Sequence, residues 1–220
     1  MSGKCLIALM VRMPVAGQVK TRLIPALGAE GACRLYRAMV EDLLEQAAAT
    51  GLPIHLLSTG GTEAQLPQSW QQAVQGMTVQ QGEDLGARMA HAFATAFKEA
   101  QQVLLIGSDI PDMGTESLLS AAEALRNNEV VLNPAVDGGY CLLGLNRGVD
   151  VAPIFHHMPW STDQVLAITL QRLKGLQHRV HLLPPLRDID TPEDLLSYRR
   201  CPNPAAQRVN LLLSDLLRLL

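Results

Sequence analysis

Short apolar runs alternate with stretches of helical period along most of this chain. The runs fall at Cys5–Arg12, Ile54–Ser58, Met77–Gln80, Val103–Gly107, Val130–Leu132, Tyr140–Leu145 and Val180–Leu183, and each predicts a strand. Between the first two, Leu35, Met39 and Leu43 recur every fourth position with Tyr36, Val40 and Leu44 beside them, and Gly51 supplies a stop. Leu85, Met89, Phe93 and Phe97 make a second helical stripe, and further helices are expected at Thr115–Arg126, at Thr162–Lys174 and after Thr191. This alternation predicts an α/β fold, a mainly parallel sheet covered by helices on both faces. Pro202-Asn203-Pro204 then breaks the chain. Beyond it Val209, Leu212, Leu213, Leu216, Leu217 and Leu220 share one helical face. Residues 1–200 therefore read as one domain and 201–220 as a leucine-rich helical tail, which docks on its own domain or supplies a homodimer contact. A membrane-surface role is disfavoured because Arg208 and Arg218 are the tail's only cations.

Composition narrows the class. With 220 residues, 48% of them apolar and 18% charged, the chain can bury the core of one sizeable domain, and disordered or collagen-like architectures are excluded. A net charge of −3 argues against a general nucleic-acid binder. That total hides a split, because the first 37 residues carry six cations (Lys4, Arg12, Lys20, Arg22, Arg34, Arg37) and one anion, Glu30. Cys5, Cys33, Cys141 and Cys201 lack Cys-x-x-Cys spacing, so free thiols in a cytoplasmic protein are expected. No run approaches the length of a membrane span, and no membrane partner is expected.

Several familiar sites are missing. Gly17-Gln18-Val19-Lys20-Thr21 is not a P-loop, and neither Gly-x-Gly-x-x-Gly after the first strand nor Gly-x-Ser-x-Gly occurs. His156-His157 has no partner ligands nearby and reads as a surface or core pair, not a zinc site. What remains is a set of charged segments at strand ends. Arg12, Lys20 and Arg22 flank the loop after the first strand, where ligands bind in open α/β sheets, and their forks and point charge suit a polyphosphate. Asp109, in Ser108-Asp109-Ile110-Pro111 after Val103–Gly107, is placed to reach a hard cation such as Mg²⁺, whereas Asp112 reads as a helix cap.

In Asp188-Ile189-Asp190-Thr191-Pro192-Glu193-Asp194, Thr191 is the expected N-cap, Pro192 the first helical residue and Asp194 the capping-box partner. Asp188 and Asp190 stand before that start, as metal ligands or as favourable charge at a helix N-terminus. Asp137-Gly138-Gly139-Tyr140 lies between two strands, as a close-approach turn beside a ligand or as an ordinary turn. Gln81–Arg88 offers donors and acceptors suited to guanine or uracil, and in Trp160-Ser161-Thr162 either Ser161 or Thr162 is the expected helix cap.

The order of these motifs resembles a known family. Lys-Thr-Arg-Leu at Lys20–Leu23, Gly-Ser-Asp-Ile-Pro at Gly107–Pro111, the turn at Pro134–Tyr140, Trp160-Ser161-Thr162 and Asp188–Leu195 are similar to the glycosyltransferase-related, radical-SAM-associated family. That family belongs with the GT-A-type nucleotide-diphospho-sugar transferases. Three of the segments also resemble 2-phospholactate guanylyltransferases. The resemblance spans Cys5 to Arg199. It implies a three-layer α/β/α sandwich with a mixed, mainly parallel sheet and a nucleotide cleft at the strand ends. It further implies a transferase that uses Mg²⁺ (or Mn²⁺) with a nucleoside triphosphate or nucleotide-sugar and a small-molecule acceptor.

Carried over residue by residue, it places Lys20, Arg22 and Asp109 in catalysis and Arg12, Lys20, Thr21, Arg22, Gly82, Asp84 and Arg88 on the nucleotide. Asp137, Gly138, Gly139, Tyr140, Trp160 and Ser161 fall to the base or acceptor, and Asp109, Asp188 and Asp190 to the metal. The expected reaction is nucleotidyl transfer with release of pyrophosphate. Glycosyl transfer from an NDP-sugar is the alternative, and a non-catalytic nucleotide-binding or interaction domain is the reading from another class.

Overall fold

The computed structural model describes residues 4–216. Seven strands, β1 (Cys5–Arg12), β2 (Ile54–Thr59), β3 (Gly76–Val79), β4 (Gln102–Ile106), β5 (Val130–Pro134), β6 (Tyr140–Asn146) and β7 (Val180–Leu182), form one sheet in the order β3-β2-β1-β4-β6-β5-β7. All seven lie where the apolar runs predict them. β6 alone runs against its neighbours, because a tight turn at residues 135–139 folds it back on β5 while helical crossovers join the others.

Period-two alternation sorts each strand between two layers. From β1, Cys5, Ile7, Leu9 and Val11 face one core with α1 (Ile24–Ala49), α4 (Thr115–Ala124) and α7 (Pro192–Arg200). Leu6 and Ala8 face the other, with α3 (Leu85–Ala96), the short α5 (Ala152–Phe155) and α6 (Val165–Gly175). The strands are apolar nearly throughout because both faces are covered. The short α2 (Gln68–Gln72) and α5 lack the length for a periodic signal, and the sequence pattern does not reveal them. α1 starts well before the stripe that predicts it and bends at Gly28, whose φ of 68° leaves the helical region.

α8 (Gln207–Leu216) packs along α1. Val209, Leu212 and Leu213 are buried in the α1-side core, and Arg208 Nη1 bonds Asp42 at 2.9 Å and Glu45 at 2.6 Å. Of the two roles expected for the leucine face, docking on its own domain is the one these residues take up. The side chain of Leu216, together with Leu217 and Leu220, lies outside the described residues. No described helix is long and apolar enough to cross a membrane. All four cysteines are free, and Cys201 alone is exposed.

Candidate active site

The parallel strands β1 and β4 are neighbours and end at the same edge, so the segments that leave them meet there. Val19 is buried and anchors the loop from β1. Lys20 follows in the left-handed region at φ 47° and ψ 44°, which costs a non-glycine residue on the order of 1 kcal/mol. Its Nζ donates to Asp109 Oδ2 at 2.8 Å and to Asp190 Oδ1 at 2.9 Å. The Lys20 side chain is 4% exposed, against 38% for Asp109 and 40% for Asp190. Arg22 Nη1 reaches Asp190 Oδ2 at 3.0 Å, so both oxygens of that carboxylate hold cations. Burial works against the Lys20 charge, but the two carboxylates outweigh it and hold the ammonium above the usual lysine range. Burial likewise opposes the Asp190 charge, and Lys20 with Arg22 outweighs it, so this carboxyl sits below the ordinary range.

Asp188 differs in kind. Burial, then the neighbouring Asp137 and Asp109 carboxylates, raise it from 3.8 to about 6. The cleft therefore has a paired side, at Lys20, Arg22, Asp190 and Asp109, and a side with excess negative charge, where Asp188 and Asp137 stand near Asp109. The acidic segments are tied at the backbone, where Ile189 N donates to Asp109 O at 3.1 Å. Asp112 does not cap a helix as expected. It takes a bidentate pair from Arg187 at 2.6 and 2.9 Å, and Gly114 is the N-cap of α4. Thr191, Pro192 and Asp194 do form the expected capping box of α7.

Asp109, Asp188 and Asp190 do not gather into a three-carboxylate cage. Among the described residues no group of three or more His, Cys, Asp or Glu is arranged to hold a metal ion, because Asp190 is turned onto Lys20 and Arg22. The donors are still of the right kind for a hard cation. Mg²⁺ keeps several waters and takes one or two carboxylates with phosphate oxygens, and the mutual repulsion at Asp188 favours added positive charge.

Two adjoining cavities share Arg12 and Asp109. One of about 430 Å³ collects Arg12, Lys20, Thr21, Arg22, Asp109 and Asp190, with Gln18 on its rim. The other, about 460 Å³, takes Arg12, Arg88, Asp109, Asp137, Gly139, Tyr140, Trp160 and Ser161, with Met10, Met89, Leu105 and Val165 as apolar wall. Four expected site residues line neither cavity: Gly82, Asp84, Gly138 and Asp188.

Three of the four have a visible structural contact. Asp84 caps α3 by accepting the Ala87 N–H at 2.7 Å, and the Gly82 carbonyl accepts Arg88 Nε at 3.1 Å. Gly138, at φ 91°, lies where a Cβ would run into the Asp163 backbone, and its carbonyl accepts the Leu166 N–H at 3.0 Å. Gly138 is thus a packing glycine of the β5–β6 turn. Asp137 closes that turn by accepting the Gly139 N–H at 2.9 Å. Neither Ser161 nor Thr162 caps α6, which begins later, after Gln164; the Thr162 hydroxyl instead donates to Pro159 O at 2.8 Å. The Tyr140 hydroxyl and Trp160 Nε1 are buried without a hydrogen-bond partner, and burial raises the Tyr140 phenol.

Sequence reasoning missed two residues here. The Tyr36 hydroxyl accepts the Arg12 N–H at 2.8 Å and meets Ser108 Oγ at 3.0 Å, linking the ends of β1 and β4. Tyr36 reads in sequence as one more apolar member of the α1 stripe, and no local signal separates it. Gln80 Nε2 donates to Val11 O at 3.0 Å and Leu57 O at 2.8 Å. Both amide hydrogens are thereby committed, and the side-chain carbonyl is left as an acceptor on the larger cavity. A polar side chain closing an apolar strand was the available clue.

A family profile described as an uncharacterised protein conserved in bacteria (DUF2064) matches residues 42–162. The chain is similar to a Desulfovibrio desulfuricans G20 protein provisionally named a nucleotide-diphospho-sugar transferase. Identity is 32%, the match covers 97% of this chain and 96% of that one, and the TM-score is 0.87. It shares its fold with 4-diphosphocytidyl-2C-methyl-D-erythritol synthase from Anaerococcus prevotii DSM 20548, at 12% identity, 91% and 100% coverage and a TM-score of 0.59. It also shares it with Rv0371C of Mycobacterium tuberculosis H37Rv, whose structure is a complex with manganese, at 19% identity, 90% and 97% coverage and a TM-score of 0.54. No curated protein matches the chain.

Proposed function

The chain belongs to the bacterial DUF2064 family, and from its similarity to the Desulfovibrio protein and the charge layout of the cleft we propose that it is a divalent-cation-dependent transferase acting on a nucleotide. The observation that carries this reading is the Lys20 ammonium, 2.8 Å from Asp109 and 2.9 Å from Asp190, with Arg22 and Arg12 on the same cavity. Cations and carboxylates that meet at strand ends suit a phosphate chain and its metal better than any neutral ligand. The smaller cavity would take the phosphates, against Arg12, Lys20, Thr21 and Arg22. The larger would take the base and the acceptor, with the Gln80 carbonyl as acceptor for a base N–H and Arg88, Tyr140, Trp160 and Ser161 around it. Mg²⁺ or Mn²⁺ on Asp109 and Asp188 would neutralise phosphate oxygens during the reaction.

In nucleotidyl transfer, an acceptor oxygen bonds to the α-phosphorus of a nucleoside triphosphate and the bond to the bridging oxygen breaks, so that pyrophosphate leaves. Such chemistry is mostly positioning and charge neutralisation. Lys20 and Arg22 would meet the charge that grows on the leaving group, and Arg12 would orient the chain. The name of the Desulfovibrio relative favours a second reading, glycosyl transfer from an NDP-sugar in the same cleft.

A thermal-shift panel of nucleoside triphosphates and NDP-sugars, with and without Mg²⁺, tests the class. At least one nucleotide should raise the melting temperature in a Mg²⁺-dependent way, and none doing so overturns the proposal. Release of pyrophosphate against release of NDP, across a set of phosphate and hydroxyl acceptors, then separates the two readings. Stabilisation by nucleotide with no product from any acceptor would instead fit a binding domain.

A further inference from the structure

Lys20 is where the cleft is most constrained. Its ammonium is a compact point charge with three donors, and two of them are spent on carboxylates of segments that lie 89 and 170 positions away. The side chain is almost fully enclosed at 4% exposure, and the backbone beneath it is held left-handed at φ 47°. A strained conformation persists where the surroundings over-determine it, and here the ion pairs to Asp109 and Asp190 do so. The same ammonium stands against Asp109, the carboxylate that the proposed function assigns to the metal. A divalent cation arriving alone must approach a fixed positive charge and compete with it for the Asp109 carboxylate. A metal bound to a polyphosphate brings excess negative charge, to which a lysine can turn.

We propose that Lys20 is a resident counter-cation that keeps free divalent metal off Asp109 and Asp190, so that metal enters the cleft only together with a nucleotide polyphosphate that draws the ammonium from the carboxylates. This deepens the proposed function and rests on it for the identity of the incoming ligand. The exclusion of free metal by the lysine stands on the geometry alone.

Mn²⁺ binding, followed by electron paramagnetic resonance of the free ion and by calorimetry, supplies the test without reliance on turnover. The wild-type protein without nucleotide should bind Mn²⁺ at least about tenfold more weakly than Lys20→Met does. Lys20→Met/Asp109→Asn should lose the gain. Equal Mn²⁺ affinity in the wild type and Lys20→Met overturns the inference. If Lys20→Met does not fold, Lys20→Gln, which removes the charge and keeps a polar side chain, is held to the same outcomes: a gain in Mn²⁺ affinity of at least about tenfold supports the inference, and an affinity equal to wild type overturns it. If Lys20→Met gains Mn²⁺ while no nucleotide binds any form of the protein, the proposed function fails and the exclusion of metal by Lys20 survives. If nucleotide and metal bind together but Lys20→Met gains nothing, the inference alone fails.

Discussion

Asp188 carries a cost that its two acidic neighbours impose. Burial, Asp137 and Asp109 raise its carboxyl from 3.8 to about 6, so between those values the folded protein holds a proton that the unfolded chain has released. Stability contributed at this position therefore falls as pH rises through that window, and the cost is complete above about 6. In the absence of divalent cation, Asp188→Asn should be more stable than wild type at pH 7, by on the order of 2 kcal/mol, with the difference gone near pH 4. Denaturant melts at the two pH values check this, and a variant less stable than wild type at pH 7 refutes it. The thiols offer a second check on burial. Burial pushes Cys5 up to about 11 and Cys141 up to about 12, and Cys33 is enclosed beside Pro14 O. A thiol reagent should label Cys201 alone in the native protein and all four cysteines after denaturation. Labelling of a second native cysteine would show that a core thiol is reached.

Between elements, the site depends on how the Gly107–Asp112 segment after β4 is held to the Arg187–Asp190 segment before α7. Besides the Ile189–Asp109 backbone bond, the tie includes the bidentate Arg187–Asp112 pair, and Asn203, beyond α7, steadies the first segment through Nδ2 on Pro111 O at 2.9 Å. Asp112 lines neither cavity, so Asp112→Asn tests the tie without removing a group from the cleft. Loss of a charge-assisted pair should lower stability by about 1–3 kcal/mol and reduce the thermal shift given by Mg²⁺ and nucleotide. A stability loss with that shift unchanged would confine Asp112 to the fold. The strands and the α7 capping box were legible in the sequence because apolar runs, Thr-Pro at a helix start and a following acid are local signals. Cap positions that depend on neighbours were not. Thr162 looks like a cap, yet α6 begins after Gln164, since the Gly138 carbonyl takes the Leu166 N–H.

At the scale of the whole molecule, α8 completes the α1-side core. Val209, Leu212 and Leu213 cover α1, and the buried Asp42 accepts the N–H groups of Arg208 and Val209 at 3.1 and 3.0 Å as well as the Arg208 guanidinium. Truncation after Arg200 would expose that apolar face and leave Asp42 without those donors. It should lower the midpoint of thermal unfolding markedly, because a buried carboxylate that loses its partners costs about 3–5 kcal/mol in addition to the lost burial. An unchanged midpoint would show that the tail is dispensable to the fold. Part of the charge split along the chain is likewise gathered in one cleft, since Lys20 and Arg22 from the first 37 residues meet Asp109 and Asp190 from the rest, while Lys4, Arg34 and Arg37 lie outside both cavities. The sequence by itself determined the layered α/β architecture, the seven strands and the set of charged residues available at strand ends, because periodicity and strand-end position are properties of neighbours in the chain. The tertiary structure alone decided which charges pair. It pairs Asp190 with Lys20 and Arg22, leaves Asp188 with the repulsion of other acids, packs Gly138 against Asp163 and makes Asp84 the cap of α3. Those outcomes depend on distances between residues up to 170 positions apart, which no local pattern encodes.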